Sequence, residues 1–344
     1  MVVGPDGALP LPWLAEPLAQ ILAQQRGHAL LLQGAAGNGS LALSLSLAQA
    51  WLCEQPVKAG AGAEAPRLRP CGHCGSCHLV QTQLHPDLFV LLPEVQRRAT
   101  GWLLADDKTE GEEAKRKPSK QIRIQEVRSA IDWVMKTSSR GQGKVLLMHP
   151  AETLNLQSAN ALLKTLEEPP AGTRILLGAG DAGALLPTVR SRCQMVRLPT
   201  PPADVAQAWL AQQGVADAAV LLAACSGRPL EAQAMAQAGI HAAAWRAWPK
   251  AIAQGHGSVL TGWAVPQVVE ALQKLCHDAL AQACGAPGRF FPAGSVPRAA
   301  SVAALVKWQG ELARLARHDE HPWQEPLLLD SLLGQARLAF TLKA

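Results

Sequence analysis

Four cysteines are the residues of this sequence best placed to do chemistry. Cys71, Cys74 and Cys77 fall within the heptapeptide CGHCGSC, and Cys53 lies upstream, beyond the Ala/Gly/Pro-rich stretch 55–70. The turn inside a C-x-x-C unit directs both sulfurs to one side, so two overlapping units offer three thiolates to a single ion. Zn²⁺ takes four ligands at tetrahedral corners, about 2.3 Å from each sulfur, and Cys53 closes the set. His73, His78 and His85 compete for the fourth place and rank below Cys53. Four thiolates leave no open position for a reactive water, so a metal held this way is structural. A redox C-x-x-C pair and plain thiols are the alternatives in a reducing compartment, and three cysteines so close together favour zinc over both. The other four cysteines (Cys193, Cys225, Cys276, Cys284) are scattered, as inert thiols are.

A second stretch, LLQGAAGNGSLAL at 31–43, has the outline of a phosphate-binding loop. Such a loop reads G-x-x-x-x-G-K-[ST], with the Lys on the β/γ-phosphates and the Ser/Thr on Mg²⁺. Gly34 and Gly39 keep the spacing and Gly37 lies between them, but Ser40 and Leu41 stand where the Lys and the Ser/Thr belong. Without an ammonium and Mg²⁺, the backbone N–H groups of 34–40 would face several phosphate charges almost alone. The glycines are then explained by the strand-to-helix turn itself, which needs their conformational freedom.

These groups have to be positioned by regular elements, and the chain supplies them in alternation. HALLLQG reads as a buried strand, LALSLSLAQAWLC as a long helix, and HPDLFVLLP, GKVLLMHP and TRILLGAG as three more strands. IRIQEVRSAIDWVMKT places Ile124, Val127, Ile131, Val134 and Met135 on one helical face. NLQSANALLKTLEEPP is a helix stopped by two prolines. Repeated strand–helix alternation implies a mainly parallel sheet with crossover helices. The segment 94–120 is polar, mixed in charge and without period, so it reads as a surface insertion; its basic cluster, 115–120, suits a phosphate contact but fits a solvated loop better. After Pro202 every signal is helical. The sequence therefore divides into an α/β domain over 1–198 with a metal module at about 53–80, a small helical domain over 199–245, and a helical C-terminal domain over 246–344.

The chain has 344 residues, 48% of them hydrophobic and 17% charged, with a formal net charge of +5. That mild excess permits contact with nucleic acid without arguing for it. The N-terminus has no basic region followed by an apolar run, and no apolar stretch reaches the roughly 18 residues a membrane span needs. A cytoplasmic protein with no membrane partner is expected.

HALLLQGAAGNGS, CGHCGSCHLVQTQLHPD, NALLKTLEEPP and LLPTVRSRC, in that order, resemble the AAA+ clamp-loader family over roughly 10–240. Beyond that the match is one of helical character and length. The resemblance implies an α/β AAA+ (P-loop NTPase-like) domain with a parallel sheet and zinc module, then a small helical lid domain and an all-α collar domain for oligomerisation. It implies partners too: clamp-loader ATPase subunits of the gamma/tau type, a clamp-opening delta subunit and, indirectly, the sliding clamp and primer–template DNA. Against the family's ATPases, His149 and Pro150 occupy the place of the acidic pair after strand KVLLM. The sensor position after RILL falls at 178–180, which offers Gly178 and Gly180. The lid sensor Arg aligns with Leu230, with Arg228 two residues away. These losses imply a chain with no ATP cofactor that donates chemistry only to a neighbour. Ser191, Arg192 and Cys193 form the family's SRC segment, in which Arg192 would serve as an arginine finger in trans. The helix carrying Lys164 and Glu167 is expected beside it, with those two residues structural or at an interface. Two other readings compete: an active gamma/tau-type ATPase, and a zinc-dependent nucleic-acid-binding module.

Overall fold

The apolar runs become the strands of one sheet because helices cover both of its faces. The computed structural model describes residues 1–58, 68–104, 118–317 and 324–340. In chain order the first part contains α1 (Ala15–Gln24), β1 (Ala29–Gln33), α2 (Ser40–Leu52), β2 (Val57–Lys58), β3 (Leu68–Arg69), α3 (Gly75–Gln81) and β4 (Leu88–Leu91). It continues with α4 (Glu94–Thr100), α5 (Ile124–Val134), β5 (Lys144–Met148), α6 (Leu156–Glu167), β6 (Thr173–Ala179), α7 (Pro187–Arg190) and β7 (Gln194–Arg197). The five-stranded sheet has the order β4-β5-β6-β1-β7, and every neighbouring pair is parallel. Leu31 of β1 registers with Leu177 of β6, and Leu146 of β5 with Ile175. These central strands are continuously apolar, as a sheet buried on both faces requires. Leu31, Leu146, Met148, Ile175 and Leu177 share one core with Val127 and Val134 of α5 and Leu162 and Leu166 of α6. Met135, expected on the buried face of α5, lies just past the end of that helix and is 56% exposed.

The segment expected as a surface insertion departs from that reading at its start. Glu94–Thr100 is helix α4, and Arg97 within it is only 2% exposed. Its Nη1 donates to the carbonyl of Leu92 at 2.5 Å, and its Nη2 pairs with Glu126 at 2.9 Å. Glu94 in turn takes Arg98 at 2.7 Å, Arg123 at 2.5 Å and the N–H of Ser119 at 3.1 Å. Pairing replaces hydration here, which is how charged side chains become buried. Residues 105–117, with half of the basic cluster 115–120, lie outside the described residues.

Close contacts divide the chain into two compact units, Met1–Thr200 and Pro201–Ala344. The second contains α8 (Ala203–Gln212), α9 (Ala218–Ala224), α10 (Pro229–Gln237), α11 (Ala242–Ala253), α12 (Val265–Ala283), α13 (Val302–Ala316) and α14 (Glu325–Ala339), with no strand among its described residues. Trp245 stacks on Phe291 with ring centroids 4.5 Å apart. The fully buried Asp278 accepts the backbone N–H groups of Arg289, Phe290 and Phe291, each at 2.8 Å, and so fixes the Gly/Pro-rich loop that carries those rings. No helix among the described residues is long and apolar enough to cross a membrane.

Candidate metal centre and glycine loop

The four cysteines separated by up to 24 positions meet at one point. Cys53 follows the last turn of α2, while Cys71, Cys74 and Cys77 run from the end of the β2–β3 ribbon into the start of α3. Their sulfurs all lie within 4.8 Å of one another, and all four residues are buried. Cys53 Sγ is 3.6 Å from Cys71 Sγ and 3.9 Å from Cys74 Sγ, and Cys71 Sγ is 3.9 Å from Cys77 Sγ. A tetrahedron with sulfurs 2.3 Å from its centre has edges of about 3.8 Å, so the donor set fits a four-coordinate zinc-type ion. Backbone N–H groups of Cys71, Cys74 and Cys77 donate to the sulfurs of Cys53, Cys71 and Cys74 at 3.3–3.4 Å. Burial pushes the Cys53 thiol up to about 11, against the N–H of Cys71. Burial acts the same way on Cys74, but the Cys77 N–H and further donors outweigh it and bring that thiol down to about 7.

None of the three competing histidines joins the cluster. His73 is exposed and its Nδ1 faces the carbonyl of Cys71 at 3.0 Å, and His78 is exposed. His85 is buried; its Nδ1 accepts the N–H of Asp87 at 3.1 Å, which leaves Nε2–H to donate to Ser76 Oγ, also at 3.1 Å. Burial lowers its pKa, against the pull of Asp87.

A polar network ties this knuckle to the body of the sheet, and sequence reasoning missed it. Arg140 pairs with Glu54 at 2.5 Å and donates from Nε to Ser76 Oγ at 3.1 Å, while Ser76 donates to Glu54 at 3.2 Å. The fully buried Asp87, just before β4, accepts the backbone N–H groups of Ser139 and Arg140 at 2.7 and 2.8 Å and the Ser138 hydroxyl at 3.0 Å. Burial alone would raise its pKa; these donors hold the carboxyl below its ordinary value instead. Asp87 and Arg140 stand 53 positions apart, and no spacing rule in the sequence links them.

The glycine loop is explained by packing. Gly39 caps α2 with φ +90°, and a Cβ there would lie 2.4 Å from Leu11 Cδ1. Gly37 has φ +86°, and a Cβ on Gly34 would come within 2.9 Å of Leu198 Cβ. Trp13 closes over the loop with an indole N–H to the carbonyl of Asn38 at 2.8 Å. Ser40 is buried at the start of α2, and its carbonyl accepts the Ser44 hydroxyl at 2.9 Å.

Beyond β5, the place of the acidic pair holds an imidazole. His149 has its Nδ1 buried without a hydrogen-bond partner among the described residues, and burial lowers its pKa to about 4. Its ring fills the space over Gly178, where a Cβ would lie 2.3 Å from Nδ1. Gly180 offers only its N–H, which donates to Glu152 at 2.8 Å.

Arg192 sits one residue past α7 and Ser191, exposed, with its guanidinium held from two sides. Nε donates to Glu167 Oε1 at 2.6 Å and Nη2 pairs with the same carboxylate, while Nη1 donates to the carbonyl of Thr188 at 2.8 Å. The structure thus brings the end of α6 beside the SRC segment. Lys164 of α6 is exposed. Cys193 packs against the sheet core, and burial pushes its thiol up to about 11. In the second unit, Leu230 lies in the first turn of α10, and Arg228 pairs with Glu231 at 2.8 Å and Glu270 at 3.5 Å.

A family model described as DNA polymerase III, delta subunit, matches residues 13–202, and the chain belongs to that family. The DNA polymerase III subunit delta' of Pseudomonas aeruginosa is 36% identical over 234 residues, 67% of this chain and 62% of that protein. The subunit delta' of Escherichia coli is 33% identical over 233 residues, 66% of this chain and 60% of that protein. The DNA polymerase III subunit tau of Salmonella typhimurium is 30% identical over 171 residues, half of this chain and 21% of that protein. The chain spans about three fifths of the length of the two delta' relatives.

Proposed function

We propose that this chain is a non-catalytic delta'-type subunit of a DNA polymerase III clamp loader. Its AAA+-like α/β domain holds a structural zinc at Cys53, Cys71, Cys74 and Cys77. The helices after Pro202 form a lid over 199–245 and an oligomerisation collar over 246–344. It assembles with gamma/tau-type ATPase subunits and a clamp-opening delta subunit, and acts through them on the sliding clamp and primed DNA. Likeness to proteins named delta' and tau supports these partners.

The observation that carries the non-catalytic half is the filling of the acidic position by His149 against Gly178. Phosphoryl transfer needs a cation and Mg²⁺ on the phosphates and an acidic group to hold the metal or orient the water. Ser40, Leu41, His149 and Pro150 provide none of these, which also weighs against the gamma/tau-type ATPase reading. What is kept is Arg192: always charged, forked, and exposed on the surface of the α/β unit. In trans it would engage the γ-phosphoryl group bound by a neighbouring ATPase subunit. An equilibrium titration of the isolated chain with labelled MgATP is expected to give no saturable micromolar binding, and such binding would overturn the assignment.

A further inference from the structure

Segment 1–14 lies against the cysteine knuckle at one end and the glycine loop at the other. At the first end, Val3 is buried and bonded from two helices. Its N–H donates to Gln49 Oε1 of α2 at 2.8 Å, and its carbonyl accepts Gln49 Nε2 at 3.1 Å and Gln81 Nε2 of α3 at 2.9 Å. The same Gln81 amide donates to the carbonyl of Gly72 at 2.7 Å, which ties Val3 to the turn between Cys71 and Cys74. Residues 4–8 form a closed turn, with the Gly4 N–H on the Ala8 carbonyl and the Gly7 N–H on the Gly4 carbonyl, both at 2.9 Å. That turn sits on Gly72, where φ is +85° and a Cβ would come 2.0 Å from the Gly4 carbonyl oxygen.

At the other end, Leu11 and Trp13 are buried. Leu11 packs on Gly39 at the start of α2, and the Trp13 indole N–H donates to the carbonyl of Asn38 at 2.8 Å. The segment is thus a strap, fastened at the knuckle and closed over the loop.

The fastening depends on the cysteines. Cys74 caps α3, its sulfur accepting the Cys77 N–H at 3.4 Å, and Gly72 follows Cys71 directly. One ion drawing four thiolates together fixes the backbone of 71–77 and the start of α3, and with them the positions of Gly72 and Gln81. Gln49 is fully buried, so its amide loses Val3 only if the strap leaves and water enters, because an unpaired buried amide is costly.

We propose that, with zinc held at the four cysteines, the metal centre is the clasp of this strap and the strap keeps the glycine loop shut, so that loss of the metal frees both.

The test is amide hydrogen exchange of the full chain, read by mass spectrometry before and after zinc removal with a strong chelator, with zinc content measured on the same samples. Amides of 3–14 and 38–43 are expected to exchange about tenfold faster or more without zinc, while those of β5 and β6 keep their protection, the mark of a local opening. Val3→Asp puts a charge into the buried end of the strap and leaves every cysteine in place. It is expected to retain its zinc and to give the same acceleration at 8–14 and 38–43. Gln81→Ala removes the bonds to Val3 and Gly72 without burying a charge, and should accelerate the same amides by a smaller factor. Unchanged exchange over 3–14 after demonstrated zinc loss would overturn the clasp, as would an equal loss of protection in β5 and β6. Acceleration over 8–14 with none at 38–43, in either variant, would overturn the closure of the loop. A chain that contains no zinc as isolated would refute the metal assignment and the clasp with it, while exchange in the two variants would still decide whether the strap closes the loop.

Discussion

His149 Nδ1 occupies the volume that a side chain on residue 178 would need, 2.3 Å from where a Cβ on Gly178 would stand. The two residues sit on neighbouring positions at the ends of β5 and β6, and each explains the other: the ring fits because the glycine has no side chain. Restoring a polar side chain at 178 therefore cannot restore a sensor without moving the ring. Gly178→Thr is expected to destabilise the first unit by about 1–3 kcal/mol, the usual cost of overpacking. Urea unfolding of Gly178→Thr, His149→Ala and the double variant checks this. The double variant should be more stable than the sum of the single changes allows; simple additivity would separate the two residues.

The same ring makes stability depend on pH. Its folded pKa is about 4 against an ordinary value of 6.5, so between those values the unfolded chain binds the extra proton. Stability from this group is complete above about pH 6.5 and declines as the pH falls towards 4, by about 3 kcal/mol in all. His85 acts in the same direction, so the comparison that isolates His149 is with His149→Gln. The variant's unfolding free energy should fall less steeply between pH 6.5 and 4; parallel curves would contradict the account.

Metal analysis of the purified chain should find one zinc per molecule, lost in Cys74→Ser and in Cys77→Ser. Stripping the metal with a strong chelator should lower the melting temperature, because binding to a site formed only on folding stabilises the fold. An unchanged melting temperature, with no metal in the protein as isolated, would make the cluster a set of packed thiols.

The parts of this molecule that could be read from sequence are those whose logic is local. The cysteine spacing pointed to a single centre, and the structure brings the same four sulfurs together. The four buried strands were legible because each is a continuous apolar run. The fifth, β7, was not: it is a four-residue edge strand with Gln194, Met195 and Arg197 exposed, and such a strand has neither an apolar run nor clean alternation. Glu94 and Arg97 were read as the start of a surface insertion, since their partners Arg123 and Glu126 come from another helix's start. The anchoring of the cysteine knuckle by Asp87 and Arg140 is long-range for the same reason. Ser40, Leu41, His149 and Gly178 were all visible as departures from a pattern, whereas the way His149 and Gly178 interlock was not.

Glu167 holds Arg192 in the isolated chain, and the pair is about one-third to one-half exposed. Exposed ion pairs contribute about 0–1 kcal/mol, so Glu167→Gln should leave stability within that range. Its effect belongs instead to the assembled complex, where a loosened guanidinium should raise the nucleotide concentration needed for half-maximal turnover. A large loss of stability would mark the pair as structural.

The most direct measurement is the primed-DNA- and clamp-stimulated ATPase rate of a reconstituted complex containing either the unsubstituted chain or Arg192→Ala. A finger acting in trans is worth about 10³–10⁵ in rate at the site it serves. The account predicts normal assembly with turnover at the neighbouring ATPase subunit all but lost, and total turnover reduced by that subunit's share. Assembly with undiminished turnover would contradict it and leave Arg192 as a partner for Glu167 alone.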